Sequence, residues 1–228
     1  MIRENIQLKN KALIVLSGGQ DSATCLALAT TLHEEIYTIS FDYGQRHKIE
    51  LDCASELSFM AAAKQHFEVP ISSLKYLGNS NLLNNTGDVN DSHDSNKNLP
   101  SSFVPGRNYI FLGLAAAKAF QLGIKDIYTG VCETDFSGYP DCRKNTINAI
   151  ELSLSLAMDF DFKIHTPLMY KTKKETVLMM QELGKLDWYK FTHTCYNGEN
   201  PPCMNCPACK IRQRGFEEAN IIDPLIFK

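Results

Sequence analysis

The sequence predicts an α/β fold in which a parallel sheet carries helices on both faces. One observation is the alternation of short apolar runs, rich in β-branched and aromatic residues, with longer segments of helical pattern. The other is a glycine turn, Ser17 to Ser22, that directly follows the first apolar run and precedes a helical segment. Because ligands of such sheets bind at the carboxyl ends of the strands, this turn marks the edge where a site is expected.

The elements follow one another in regular order. The apolar run 11–16 predicts the first strand, and residues 21–33 the first helix. The β-branched and aromatic residues of 36–41 predict a second strand that ends at Asp42. A helix over about 48–66 and a strand over about 69–76 complete the first half.

The second half repeats the alternation after an unusual segment. Asn, Ser and Asp dominate residues 78–99, which predicts a mobile loop that is either a lid or a surface insertion. A helix then runs from the Pro105-Gly106 turn to about residue 122. The remaining elements are expected as a strand at 126–131, a helix at 141–157, a strand at 161–165, and helices at 173–184 and 210–219.

Composition narrows the class of protein. The chain has 228 residues, of which 44% are hydrophobic, and a formal net charge of -3. A chain without basic excess is not drawn to nucleic acid by its overall charge. Its start leads into no secretory signal pattern, and no run approaches the roughly 18 apolar residues of a membrane span. We therefore expect a cytoplasmic protein with neither a nucleic-acid nor a membrane partner.

The glycine turn has the chemistry of a phosphate site. Gly18 and Gly19 let backbone N–H groups approach an anion, and the following helix adds the positive end of its dipole. A Walker A loop would require Gly-Lys-Ser/Thr, which is missing here. The pattern Ser-Gly-Gly-x-Asp-Ser instead resembles the PP-loop of ATP pyrophosphatases, which cut ATP between its α- and β-phosphates; a turn whose glycines serve only packing is the alternative. The predicted nucleotide-binding residues are Leu16, Ser17, Gly18, Gly19, Gln20, Asp21, Ser22, Ala23, Thr24, Cys25, Leu26 and Asp42.

Four of the eight cysteines crowd near the C-terminus with metal-site spacing. Cys195, Cys203, Cys206 and Cys209 include two Cys-x2-Cys steps. Four thiolates suit a tetrahedral Zn²⁺ and leave no open position for water, so the predicted metal is structural. An iron–sulfur cluster is the alternative.

Polar residues near two predicted helix starts form a candidate substrate site. Arg107 can clamp a phosphate or carboxylate, and Asn108 can bind an amide-like edge, although both also suit a capped surface helix. The segment 132–143 contains acids, aromatic residues and an arginine. A carboxylate in this segment would accept hydrogen bonds from the adjacent N–H and amino groups of a guanine-like face. The alternative is an acidic surface loop. The predicted substrate-binding residues are Asn108, Glu133, Asp135, Tyr139, Asp141 and Arg143.

A lysine at the start of the helix after the fifth strand would reach back to the nucleotide. The run Lys171-Thr172-Lys173-Lys174-Glu175 contains three lysines, and Lys173 is the one predicted to reach the nucleotide. The alternative is a solvated helix start without a role in binding. Asp21, Arg107 and Lys173 are thus the predicted catalytic residues.

Taken together and in order, these motifs closely resemble the QueC family of 7-cyano-7-deazaguanine synthases. The resemblance rests on the glycine turn, the run Asp42 to His47, the run Val104 to Asn108, the run Ser137 to Arg143 and the four cysteines. It implies an adenine nucleotide alpha hydrolase-like PP-loop domain over 1–190, including the 78–99 loop, and a zinc-binding region over 191–228. The basic run around Lys173 and the length of the 78–99 loop depart from the family pattern.

The resemblance also implies a reaction. ATP, with Mg²⁺, would adenylate 7-carboxy-7-deazaguanine, ammonia would give the amide, and a second adenylation would give the nitrile in queuosine biosynthesis. A homodimer is expected as well. The alternatives are a PP-loop enzyme that modifies tRNA (a thiolase or a lysidine-type synthetase), a sister enzyme that stops at the amide, and a zinc-ribbon binding module without activity.

Overall fold

A computed structural model describes residues 10–44, 48–76, 92–93, 96–100, 103–134 and 139–226. Its centre is a five-stranded sheet in the order β3-β2-β1-β6-β7, and every neighbouring pair is parallel. The predicted parallel sheet is therefore confirmed. The sheet strands are β1 (Lys11–Val15), β2 (Glu35–Asp42), β3 (Gln65–Pro70), β6 (Asp126–Tyr128) and β7 (Lys163–His165), while β4 (Ser92–His93) and β5 (Asn96–Pro100) form a separate antiparallel pair.

Six α-helices appear in the described part of the chain, joined by three short 3-10 helices. The α-helices are α1 (Gln20–Leu32), α2 (Ile49–Met60), α3 (Arg107–Leu122), α4 (Lys144–Met158), α5 (Lys173–Glu182) and α6 (Pro207–Ala219). The 3-10 helices are Ser72–Tyr76, Pro140–Cys142 and Leu186–Phe191. Within the described ranges, no helix is both long and apolar enough to cross a membrane.

The helices cover both faces of the sheet, as the sequence predicts. Side chains alternate along a strand, so successive residues of β1 enter different cores. Leu13 packs with residues of α3 and α4, including Leu112 and Ile147. Ile14 packs on the opposite face, where α1, α2, α5 and α6 contribute Leu26, Leu57, Val177 and Phe216. After Lys11, β1 is apolar because it is covered on both faces, as central parallel strands are.

The third strand and the helix before it are shorter than predicted. The predicted helix over 48–66 ends at Met60, and the predicted strand over 69–76 lies instead at Gln65–Pro70. Helix propensity favours continuing through Ala61–Ala63, but Ala62 adopts a left-handed conformation with φ of 50°. The turn lets the Lys64 N–H donate to the Ile36 carbonyl over 2.7 Å, which aligns β3 with β2. Tertiary pairing therefore overrides local propensity here.

The predicted 78–99 loop contains the β4–β5 hairpin at its C-terminal end. Its other residues lie outside the described ranges, so its predicted mobility and lid behaviour are untested. The last helix also begins earlier than predicted, at Pro207, because Pro at the first helical position fits the fixed φ of a helix start.

Candidate active site

The carboxyl edge of the sheet collects the glycine turn after β1, Asp42 at the end of β2, and the segment after β6. Gly130, two residues past β6, lies so close to the turn that a Cβ on it would be 3.0 Å from the Asp21 Cβ. A side chain at position 130 would therefore displace Asp21. The topology brings these segments to one edge, as the sequence predicts.

The glycine turn is held by its own serines. The Ser17 N–H donates to the Ser22 Oγ over 3.2 Å, and the Ser22 hydroxyl donates to the Gly19 carbonyl over 3.0 Å. Gly18 has φ of 81°, and a Cβ there would lie 2.1 Å from the Glu50 carbonyl oxygen, so only glycine fits. Gly19 caps α1 without a side-chain hydrogen bond, which leaves the helix N-terminus open to an anion.

Lys173 forms an ion pair with Asp21 of the glycine turn. Its Nζ lies 2.7 and 2.6 Å from the two carboxylate oxygens of Asp21. The start of α5 is fixed by a capping box between Thr172 and Glu175, which aims the first helical residue at the turn. Among the three lysines of this run, Lys173 therefore lies at the turn. Its use on ATP stays a prediction.

The C-terminal segment packs directly against these two groups. The His193 N–H donates to the Gly18 carbonyl over 2.9 Å. Gly215 of α6 lies so near α5 that a Cβ on it would be 2.6 Å from the Lys173 Cβ. The turn is thus held by a residue about 175 positions further along the chain, and its lysine packs against α6.

The other predicted nucleotide-binding residues lie around the turn. Asp42 ends β2, where its Oδ1 accepts the Gly44 N–H over 3.2 Å and Lys48 lies 3.4 Å from its Oδ2. Thr24 donates within α1 and shares a 2.6 Å hydrogen bond with the Tyr189 hydroxyl. The remaining residues are buried, and their contact with nucleotide remains a prediction; they are Leu16, Gln20, Ala23, Cys25 and Leu26.

Arg107 is the centre of a second polar group. Its guanidinium lies 5.9 Å from the Tyr139 ring centroid and hydrogen-bonds Tyr43. Burial alone would lower the pKa of Arg107, but the neighbouring Tyr43, Tyr139, Asp141 and Tyr196 raise it above its ordinary value. The side chain therefore keeps its positive charge and lies among aromatic rings; its binding of an anion remains a prediction.

Asp141 is the predicted substrate-binding acid whose charge acts on Arg107. One oxygen, Oδ2, accepts the Asn108 N–H over 3.0 Å, and the side chain is buried. The other oxygen, Oδ1, is buried without a hydrogen-bond partner among the described residues. A buried polar atom left unpaired is costly, so an incoming donor would be bound there.

The other predicted substrate residues have different surroundings. Asn108 uses its side-chain amide on the Cys142 sulfur, 3.3 Å away. Glu133 accepts the Lys144 N–H at the start of α4, and Arg143 is exposed at the α4 N-cap. Asp135 lies outside the described residues. The substrate role of these four residues remains a prediction.

Glu50 is a site residue that sequence reasoning missed. Its carbonyl oxygen faces Gly18, while its side chain interacts with the charge of Arg107. Burial raises the pKa of the Glu50 carboxyl to about 7, against the opposing effect of Arg107. Its place in the first turn of α2, just after the Asp42 to His47 run, was the available signal.

The four C-terminal cysteines form a compact group able to hold a metal ion. Cys195, Cys203, Cys206 and Cys209 place all their Sγ atoms within 4.8 Å of one another. Cys203 Sγ and Cys209 Sγ are 3.9 Å apart, close to the roughly 3.8 Å expected between ligands of a tetrahedral zinc thiolate site with bonds of about 2.3 Å. The donor set and its spacing therefore fit zinc.

The Cys203–Cys206 turn is built to present thiolates. Met204 adopts a left-handed conformation, and the N–H groups of Asn205 and Cys206 donate to the Cys203 sulfur over 3.4 and 3.3 Å. Burial raises the pKa of Cys203, but these donors outweigh it and the pKa falls to about 7. A thiol that ionises near neutral pH is ready to bind a cation.

Arg212 of α6 ties the cysteine segment to the core. It forms a bidentate pair with Asp223, at 2.6 and 2.8 Å, and donates to Thr192 and Thr194 over 2.7 and 3.0 Å. The arginine is buried, and its guanidinium is fully occupied. Because Thr192 and Thr194 flank His193, this network also positions the residue that binds Gly18.

Comparison with known proteins fits this arrangement. The family model described as queuosine biosynthesis protein QueC matches residues 11–220. The chain belongs to the QueC family. It is 47% identical over 218 residues to a 7-cyano-7-deazaguanine synthase of Chromobacterium violaceum, covering 95% of this chain and 93% of the relative. A 7-cyano-7-deazaguanine synthase of Laribacter hongkongensis is also 47% identical, over 215 residues, with 94% and 93% covered.

A solved structure of the same fold belongs to a more distant protein. It is a 4-thiouridine synthetase in complex with RNA and bound ATP, with a TM-score of 0.52 and 17% identity. The likeness covers 92% of this QueC family chain but only 50% of that one, so the chain spans about half the length of that structure. It confirms the predicted PP-loop fold class.

Proposed function

We propose that the protein converts 7-carboxy-7-deazaguanine, ammonia and ATP into 7-cyano-7-deazaguanine for queuosine biosynthesis. The geometric observation that carries the proposal is the link between two groups on one edge of the sheet. Glu50 contacts Gly18 of the glycine turn with its backbone and faces Arg107 with its side chain. A phosphate site and an anion clamp next to a partly buried acid suit a reaction that joins ATP to a carboxylate.

The chemistry requires activation of the acid. A carboxylate is a poor electrophile because its oxygen does not leave, and transfer of AMP from ATP makes that oxygen part of a good leaving group. Ammonia then displaces AMP to give the amide. Adenylation of the amide oxygen lets a second AMP leave, and the nitrile forms. Positioning and electrostatic stabilisation supply the rate, since no covalent enzyme intermediate is needed.

We assign a different part of ATP, or its Mg²⁺ ion, to each group of residues at the glycine turn. We assign the β,γ-diphosphate to the backbone and hydroxyl donors of Ser17, Gly18, Gly19 and Ser22. Asp21 would supply a carboxylate oxygen to Mg²⁺, a cation that prefers oxygen ligands and neutralises phosphate charge. Lys173, held by Asp21, would reach the phosphates, and Arg107 would hold the substrate carboxylate or the α-phosphate.

Asp141 is the acid we assign to the deazapurine face. Its free Oδ1 can accept the donors that a guanine-like edge presents, whereas Glu133 is engaged by the Lys144 N–H. Asp141→Asn keeps one oxygen for the Asn108 N–H and turns an N–H₂ group toward those donors. We expect the KM for the acid to rise about 10- to 100-fold, since a good bidentate pair is worth about 1–3 kcal/mol.

The steady-state KM for ATP is the internal reference for this variant and should change little. Glu133→Gln tests the competing assignment, because it alters an exposed acid of the same segment. If Asp141 binds the deazapurine, this variant should leave both KM values near those of the unmodified protein. An unchanged KM for the acid in Asp141→Asn would show that another residue binds the deazapurine.

The cysteine group is assigned to one structural zinc ion. Four thiolates fill a tetrahedral site, which leaves no position for substrate or water. We further propose that residues 1–190 form the ATP-binding domain and 191–228 the zinc-binding region, that the protein is a cytoplasmic homodimer, and that it has no nucleic-acid partner.

The products test the proposed mechanism. With the deazapurine acid, ammonia and ATP, we expect AMP and pyrophosphate in equal amounts, about two of each for every nitrile formed, as follows from the two adenylations. Nucleotide chromatography and mass analysis of the deazapurine give both numbers. ADP and phosphate as products would exclude adenylation, and accumulation of the amide with one AMP would indicate an enzyme that stops there.

A further inference from the structure

The reaction leaves three protons without a recipient. Ammonia enters with three N–H bonds, and the nitrile nitrogen has none. One proton leaves when the amide forms, and two leave when the adenylated amide becomes the nitrile. A group near the reacting carbon that accepts protons at neutral pH is therefore required, and a positioned base is typically worth 10²–10⁴-fold in rate.

The other acids of the site are already engaged. The carboxylate of Asp21 accepts both hydrogen bonds from Lys173, and one oxygen of Asp141 accepts the Asn108 N–H. Asp42 is engaged by Gly44 and Lys48 at the end of β2. Asp21 and Asp42 are thus held by their partners, and the second oxygen of Asp141 is the one assigned to the deazapurine face.

Glu50 has the opposite surroundings. It lies in the first turn of α2, and its backbone carbonyl faces Gly18. Its carboxylate is partly buried and faces Arg107 of α3. Tyr43 and Tyr196 also interact electrostatically with its charge. Among the described residues, none donates a hydrogen bond to it. The carboxylate is thus free to take a proton at the point where the glycine turn and Arg107 meet.

The pKa of Glu50 suits a group that accepts protons near neutral pH. Burial raises the pKa of Glu50 to about 7, because a charged carboxylate is poorly solvated there, and the charge of Arg107 opposes only part of this effect. A base is most effective when its pKa lies near the working pH.

We propose that Glu50 is the catalytic base that takes the protons from the nitrogen during amide and nitrile formation. The assignment rests on the proposed function. In the first step the nitrogen lone pair forms the C–N bond, the C–O bond to AMP breaks with its electron pair on the phosphate oxygen, and one N–H proton passes to the Glu50 carboxylate. In the second, the amide oxygen takes AMP from ATP, pyrophosphate leaves, and the two remaining N–H protons pass to Glu50 in turn as the C–N multiple bond forms and AMP departs. Between transfers Glu50 returns its proton to water.

The experiment separates adenylation from nitrogen chemistry. Adenylation of the acid needs no nitrogen, so acid-dependent exchange of labelled pyrophosphate into ATP, with ammonia left out, reports that step alone. Amide and nitrile formation, followed by mass at saturating ATP, report the later steps. Glu50→Gln is the test variant, and Asp52→Asn is the control because it removes an exposed carboxylate from the same first turn of α2.

We expect Glu50→Gln to keep pyrophosphate exchange within about threefold and to lose amide and nitrile formation by 10²-fold or more. At a fixed concentration of free ammonia, the rate of amide formation in the unmodified protein should rise as the pH increases through about 7, where Glu50 becomes ionised, and this rise should be absent in Glu50→Gln. Asp52→Asn should behave as the unmodified protein does.

The opposing outcomes are distinct. Equal losses of exchange and amide formation, or an unchanged pH profile, would show that Glu50 only supports the glycine turn. Should Glu50→Gln fail to fold, Glu50→Asp keeps a carboxylate, and retention of the pH-dependent rise in that variant supports the proposal while its loss overturns it. Failure of the unmodified protein to catalyse acid-dependent exchange would overturn the proposed function itself, whatever Glu50 does.

Discussion

Asp21→Ala is expected to lower kcat by about 10³-fold or more while the protein stays folded. The change removes the carboxylate that holds Lys173. Under the proposed mechanism it also removes the oxygen that Asp21 would supply to Mg²⁺, so both positive charges on the phosphates would lose their position together. Loss of a single preorganised electrostatic contact costs about 10²–10³-fold in rate. Release of pyrophosphate under saturating acid and ATP measures the effect.

Two controls make the result specific. Asp187→Ala breaks an exposed pair with Lys190, 3.2 Å apart, and should leave kcat unchanged. Lys173→Met should be nearly as harmful as Asp21→Ala, and the double variant little worse than either, because groups that act as a unit are not additive. Turnover at the unmodified rate in Asp21→Ala would refute the phosphate site.

Cys206→Ser is expected to lower the bound zinc and the melting temperature together. Removal of one thiolate from a four-cysteine site leaves the tetrahedral ligand set incomplete. In such sites the free energy of metal binding contributes directly to the free energy of folding. We expect a loss of at least about 3 kcal/mol, which in a chain of this size lowers Tm by about 6–12 °C. Elemental analysis and thermal unfolding give the two values.

The damage should extend beyond the cysteines. Cys206 is the N-cap of α6, and the same helix contributes Gly215 against Lys173 and Arg212 against Thr192. We therefore expect the KM for ATP to rise in the metal-depleted protein that still folds. Cys53→Ser, a cysteine of α2 outside the group, is the matched control. Unchanged zinc content and Tm in Cys206→Ser would disprove the metal assignment.

The parts of the site that are local in sequence were predictable. The glycine turn follows from a strand, two glycines and a helix start, and the metal group follows from Cys-x2-Cys spacing. The ion pair of Lys173 was also within reach, since Thr172-x-x-Glu175 has the spacing of a capping box and fixes which lysine begins the helix.

The remaining features depend on contacts between distant segments. The role of Glu50 follows from how α2 packs on the turn, and its high pKa follows from burial that no spacing reveals. The Asp141 oxygen that lacks a partner in the described part of the chain depends on where α3 begins, because the Asn108 N–H binds the other oxygen. The end of α2 at Met60 follows from strand pairing, whereas the three alanines that come next favour a longer helix.

The contact between His193 and Gly18 also bears on how the protein is made. The glycine turn leaves the ribosome early, whereas His193, Lys173 and α6 leave in the last third of synthesis. During translation the nascent chain therefore holds a turn whose supporting residues do not yet exist. Nucleotide affinity in growing chains should appear abruptly, only after the cysteine segment has emerged.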